Sequence, residues 1–154
     1  MWQRKQTIFL ALTALCMVGM ILFPVWHASA ADGEKTLFPL QYTVKINDVK
    51  QIFYFPYALC AILAIAAATV AIIEIGKFED RLLQLKLGAL NSLLIAGSLG
   101  SAVYFAIQLI QTNQIVGRYE LGMWLPAIAM VSNLIANRFI RKDEKIVSDS
   151  NRIR

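Results

Sequence analysis

Long apolar runs separated by short polar ones dominate this chain: residues 7–26, 54–75, 87–110 and 121–140 are nearly unbroken stretches of Leu, Ile, Ala, Val and Phe. Each has about the 20 residues that a helix rising 1.5 Å per residue needs to cross roughly 30 Å of hydrocarbon. Barrel strands are about half as long and alternate in polarity, so runs of this length predict helices. The only Asp, Glu, Lys or Arg side chains inside the four runs are Glu74 and Arg138, each at the end of its run. The expected fold is an all-α membrane protein. It is a single four-helix transmembrane bundle over residues 1–154, with an external loop 27–53 and a basic tail 141–154.

Within the loop the period changes. Tyr42, Val44 and Ile46 alternate with Gln41, Thr43 and Lys45, and Asn47-Asp48 supplies turn chemistry before the β-branched and aromatic run Val49 to Phe53. This predicts a short extracytoplasmic β-hairpin between helices 1 and 2, lying over the outer mouth of the bundle because a hairpin alone is marginally stable. Past Arg138, Phe139, Ile146 and Ile153 recur every seven residues, as do Ile140 and Val147, so helix 4 is expected to continue beyond the bilayer with an apolar stripe and a basic flank. Pro24 and Pro56 sit near helix ends, where a missing N–H costs little. Pro126 lies further in and predicts a late start or a kink.

Composition sharpens the assignment. The chain is 58% hydrophobic and only 16% charged, well away from the balance of soluble domains. Trp26, Tyr54, Tyr57, Tyr119 and Trp124 fall at one set of helix ends, with Trp2 and Phe78 at the other, as interfacial anchors should. Of 15 Lys and Arg residues, eleven lie at one face (Arg4, Lys5, Lys77, Arg81, Lys86, Arg138, Arg141, Lys142, Lys145, Arg152 and Arg154). Lys35, Lys45, Lys50 and Arg118 lie at the opposite face. By the positive-inside rule both termini are expected in the cytoplasm, in a bacterial inner membrane. The net charge of +5 is then a topological signal and a contact for anionic lipid headgroups; no nucleic-acid site is expected. Arg4, Lys5, the first apolar run and Ala28-Ser29-Ala30 also have the layout of a cleavable secretory signal, but the run to Pro24 exceeds the roughly 7–15 residues of a signal core, so an uncleaved helix is expected.

Helices in lipid associate where small residues let backbones approach. Gly88, Ser92, Ala96 and Gly100 recur at fours in helix 3, and Ala61, Ala64, Ala68 and Ala71 line helix 2. These two helices are expected to pack together, with homo-oligomerisation the alternative use of the stripes. Polar residues collect at the basic ends: Gln6, Glu74, Gln84, Asn91, Asn133, Asn137 and Arg138. We single out Arg4, Glu74, Asn91, Asn133, Asn137 and Arg138 as a polar cluster, with Glu74 paired to Arg4 or Arg138. It serves either as interhelical glue or as a cytoplasm-facing site for a headgroup or solute.

The chemistry of catalysis is not visible. His27 lacks neighbours for a zinc site, Cys16 and Cys60 differ in depth, and there is no phosphate-binding glycine loop, nucleophile elbow or paired carboxylate. No enzyme activity, metal or cofactor is expected.

Three motifs carry a resemblance. Met1-x-Gln3-Arg4-x-Gln6-Thr7, Arg81-x-x-Gln84-x-Lys86-Leu87 and Ala136-Asn137-Arg138-x-Ile140-Arg141-Lys142-Asp143-Glu144-Lys145 resemble a Bacteroidota family of small four-helix integral membrane proteins catalogued as a domain of unknown function. The resemblance covers the whole chain and implies four spans, an uncleaved first helix and an inner-membrane location. It brings no activity. Glu79 and Asp80 beside Arg81 depart from the more basic loop that the resemblance leads one to expect. Two functions follow as expectations: an accessory or scaffold subunit of an envelope complex, docking through loop 27–53 or tail 141–154, or else a small carrier or lipid- or solute-binding protein using the polar cluster.

Overall fold

The structure, a computed structural model, describes residues 5–30, 33–46, 49–78 and 80–152, with side chains described up to residue 146 except at residue 30. Expectations resting on Trp2, Gln3, Arg4, Asn47, Asp48, Glu79, the Val147 side chain, Ile153 and Arg154 lie outside the described residues.

Four helices are long and apolar enough to cross a membrane: α1 (Lys5–Leu22), α2 (Leu59–Gly76), α3 (Arg81–Asn113) and α4 (Leu121–Arg152), the last apolar enough as far as Ile146. α1 stops before Pro24, which cannot continue the hydrogen-bond ladder. Asp80 caps α3, its carboxylate accepting from the Leu83 N–H at 2.9 Å, and Gln114 closes that helix in the left-handed region, φ 51°. Pro126 lies inside α4. Each helix packs on two antiparallel neighbours, α1 on α2 and α4, and α3 on α2 and α4.

The expectation of an all-α bundle with one short hairpin is incorrect. Besides the helices the chain builds one five-stranded antiparallel sheet, in the order β4-β3-β2-β1-β5. The strands are β1 (Trp26–Ala30), β2 (Gly33–Leu37), β3 (Tyr42–Ile46), β4 (Val49–Phe53) and β5 (Arg118–Tyr119). The expected hairpin is the β3–β4 part of this sheet; β1, β2 and β5 lie where the hydropathy pattern predicts loop or helix end. Residues 23–26 accordingly leave the first predicted span. The reason is non-local: β5 has two residues and exists only because Tyr119 and Arg118 pair with Trp26 and His27 of a strand far away in sequence.

Register explains how the sheet docks. Tyr119, Trp26, Leu37, Tyr42 and Phe53 stand abreast across the five strands, with Ala28 and Val44 two residues along on the same face. Trp26, Ala28, Leu37, Tyr42 and Val44 are buried, and the Tyr42, Tyr57 and Phe105 rings form a chain of contacts at 5.4 and 5.3 Å that joins sheet to bundle. The β2–β3 turn adds a backbone tie, the Ala61 N–H donating to the Pro39 carbonyl at 3.2 Å, which satisfies an orphan donor in the first turn of α2. Trp26, read as an interfacial anchor, is instead fully buried with Gly117 against its indole, where a Cβ would collide.

The bundle interior is largely apolar, with small residues on α2 and buried polar side chains toward one end, while its outside is apolar throughout much of its length. α2 turns Ala61, Ala64, Ala67, Ala68 and Ala71 inward. Ile8, Leu15, Ile62, Ile65, Leu93, Val131 and Leu134 face out. This exterior is compatible with a membrane-spanning bundle, because soluble monomers rarely expose large contiguous apolar patches. The Gly88-Ser92-Ala96-Gly100 row does not serve as expected over its length: Gly88 is buried, but Ala96 and Gly100 are exposed.

Candidate functional site

All four helices contribute polar side chains to the bundle at the end remote from the sheet. α1 brings Gln6, α2 brings Glu74, α3 brings Gln84 and Asn91, and α4 brings Asn133 and Asn137; all six are buried, and Glu74, Asn91 and Asn133 are 0% exposed. On α3 the positions 84, 88 and 91 share one face by helical spacing, and so do 133 and 137 on α4.

Part of the cluster is bonded. Gln84 Nε2 donates to the Glu74 carbonyl at 2.8 Å, tying α3 to α2 at the turn between them. Asn133 Nδ2 donates to the Gly88 carbonyl at 3.0 Å and to Ser92 Oγ at 2.9 Å, tying α4 to α3, while Ser92 Oγ donates to the Gly88 carbonyl at 2.9 Å. Gly88 is required for this approach, since a Cβ there would run into the Asn137 side-chain amide.

Other buried atoms have no hydrogen-bond partner among the described residues: Gln6 Oε1, both Glu74 carboxylate oxygens, Gln84 Oε1, Asn91 Oδ1 and Nδ2, Asn133 Oδ1 and Asn137 Oδ1. A buried polar atom without a partner costs about 1–3 kcal/mol. Seven oxygens and one nitrogen therefore sum to the order of a whole domain's net stability of about 5–15 kcal/mol. The amide groups bonded between helices act as glue; the oxygens beside them are acceptors for which the described residues supply no donor.

Charge does not close the cluster from within. Arg138 is exposed, and among the described residues Glu74 forms no ion pair with it or with any other cation; Arg4, the other expected partner, is outside the described residues. Lys77 and Lys86 are also exposed on the same rim, and Arg81 Nη1 donates instead to the Asp143 carbonyl at 2.8 Å, bracing the start of α3 against the extension of α4. The structure thus buries Glu74, Asn91, Asn133 and Asn137 toward one end of the bundle and leaves Arg138 exposed. Gln6, Gln84 and Ser92 belong with the group. Spacing could have selected Gln84, which lies seven residues before Asn91 on the same face of α3.

Elsewhere, Cys16 and Cys60 are buried free thiols, Cys60 Sγ accepting from Ser101 Oγ at 3.2 Å. His27 Nδ1 pairs with Thr36 Oγ1 across β1 and β2 at 3.0 Å. Among the described residues no three His, Cys, Asp or Glu side chains come together. At the sheet edge all five residues of β4 are exposed. No curated protein matches the chain. The family described as Domain of unknown function (DUF4293) matches residues 2–153, and the chain belongs to that family.

Proposed function

We propose that this is a non-enzymatic membrane protein that binds a small ligand in the polar cluster at its basic helix ends. The observation that carries the reading is Glu74: fully buried at the bundle end where Gln6, Gln84, Asn91, Asn133 and Asn137 are also buried, and among the described residues without a hydrogen bond on either carboxylate oxygen. A carboxylate kept only for helix register would be expected to spend its oxygens on donors of the neighbouring helices. The proposal includes a bacterial inner membrane of a Bacteroidota cell, cytoplasmic termini, and a basic rim resting on anionic headgroups. The orientation is supported by the charge asymmetry together with the gathering of the α1–α2 and α3–α4 connections into one sheet at the opposite end. Native mass spectrometry of protein released from its own membranes tests the reading. Wild type is expected to retain a bound species that Glu74→Ala loses; equal retention by the two would sink the idea.

A second reading, an accessory subunit of an envelope complex, is favoured by β4, whose fully exposed edge offers unpaired backbone groups for strand addition by a partner segment. Crosslinking in native membranes is expected to capture a partner on β4 if this is right. Reproducible recovery of the protein alone would count against it.

A further inference from the structure

We infer that the cluster is a site for one desolvated monovalent metal cation of the sodium or potassium kind; this rests on the binding reading above and names its ligand. The donor and acceptor inventory comes first. Of the cluster's unpartnered atoms that are shut off from solvent, seven are oxygens and one is the Asn91 nitrogen. An anion would need donors in excess, and a neutral sugar-like solute would need both kinds in comparable number, whereas a cation needs oxygens alone. The oxygens are carboxylate and amide carbonyl, hard ligands of the type that replaces the hydration shell of a hard cation. No thiol, thioether or imidazole lies among them.

The charge count sets the valence. Glu74 supplies one negative charge, and among the described residues no second acidic side chain is buried. A divalent ion would leave a net positive charge in a low-dielectric interior, which is costly; a monovalent ion leaves none. The basic side chains Lys77, Lys86 and Arg138 are exposed and compete for none of these oxygens.

Burial sets the size. Glu74, Asn91 and Asn133 are 0% exposed and Gln84 is 1% exposed, so the oxygens sit behind the surface instead of opening onto it. The ammonium of a phosphatidylethanolamine headgroup has the same charge and also seeks oxygens, but it drags a phosphate and two chains that a closed helix interior does not admit.

The test uses full-length protein in nanodiscs, exchanged into N-methylglucamine chloride and titrated with NaCl or KCl at constant ionic strength, with thermal unfolding and direct radiotracer binding as readouts. One of the two ions is expected to bind saturably and to raise Tm by roughly 5 °C or more at a hundredfold excess over Kd. The near-isosteric Glu74→Gln should lose both effects, and Arg138→Gln should keep them. Asn91→Leu, which preserves shape, should weaken binding at least tenfold; it carries the comparison if Glu74→Gln does not fold. No saturable dependence on either ion, or the same dependence in Glu74→Gln, overturns the assignment. So does stabilisation by phosphatidylethanolamine over phosphatidylcholine nanodiscs without any ion effect, which would give the site to the headgroup. A Glu74-dependent organic ligand in native mass spectra with no ion effect removes the cation and leaves the binding reading standing. Absence of both removes the two together.

Discussion

At the residue scale, the cluster depends on one missing methyl group. Gly88 lets the Asn137 amide lie against the α3 backbone, and the Asn133 amide bonds the Gly88 carbonyl from the same helix. Gly88→Ala would have to push α4 away or turn Asn137 out, and overpacking of this kind costs about 1–3 kcal/mol. A lower Tm in nanodiscs is expected, with Gly76→Ala, which meets open space, unchanged or higher. A second residue-scale expectation concerns Tyr42 and Tyr57 beneath the sheet. Burial pushes both phenols above the ordinary value of about 10; at Tyr42 the neighbouring Tyr57 adds to the rise and the Asn113 side chain opposes it. The folded state therefore holds these protons more tightly than the unfolded chain. Stability from this source is complete below about pH 10 and is lost as pH rises through the raised values. A tyrosinate absorbance titration should show a late phase that shrinks in Tyr42→Phe; an unchanged late phase would remove Tyr42 from the account. Polar residues in apolar runs stand out in any sequence, so Glu74, Asn91, Asn133 and Asn137 were legible. That Arg138 turns away follows from its place one residue, about 100°, round the helix from Asn137.

At the element scale, the helices were legible because hydropathy is a local property, and most of the sheet was not, because strand pairing is a property of segments remote in sequence. Trp26-His-Ala-Ser-Ala30 reads locally as the end of a span or the tail of a signal; only the pairing of Trp26 with Leu37 on one side and Tyr119 on the other makes it a central strand. The helix 3 small-residue row failed for a geometric reason. At 3.6 residues per turn each step of four advances the row by about 40°, so Gly88 and Gly100 differ by roughly 120° and cannot share an inward face in a nearly straight helix. The buried face that replaces it runs Gln84, Gly88, Asn91, Ile95, Ser98, Ala102, Phe105 and Leu109, in alternating steps of four and three. The central strand yields a prediction for its element. Trp26→Ala empties a fully buried site between β1 and Gly117 and should cost about 3–5 kcal/mol, with faster amide exchange concentrated in residues 25–37 and 114–120. Trp124→Ala, 61% exposed on the outer face of α4, should cost much less. Similar losses at the two tryptophans would mean that the sheet is not anchored through Trp26.

At the scale of the whole molecule, the fold has two unlike ends, and their placement across a bilayer is what the proposed function requires. The sheet gathers both the α1–α2 and the α3–α4 connections at one end, so the α2–α3 turn and the open ends of α1 and α4 lie together at the other. Among the described residues the second end carries Lys5, Lys77, Arg81, Lys86, Arg138, Arg141, Lys142, Lys145 and Arg152 together with the polar cluster. Short basic segments are retained on the cytoplasmic side, so the cluster should face the cytoplasm and the sheet should face away from it. Single cysteines test this without disturbing the core, because the native thiols of Cys16 and Cys60 are buried. Lys50→Cys on the exposed β4 edge should react with a membrane-impermeant maleimide once the outer envelope is opened while the inner membrane remains intact. Arg141→Cys, exposed on α4 beyond the cluster, should react only after the inner membrane is permeabilised. The opposite pattern would turn the basic rim outward and place the acceptor oxygens on the far side of the membrane. Ion binding at the cluster would then draw on the external medium, and the dependence on NaCl or KCl measured in vesicles of known orientation would reverse its side with it.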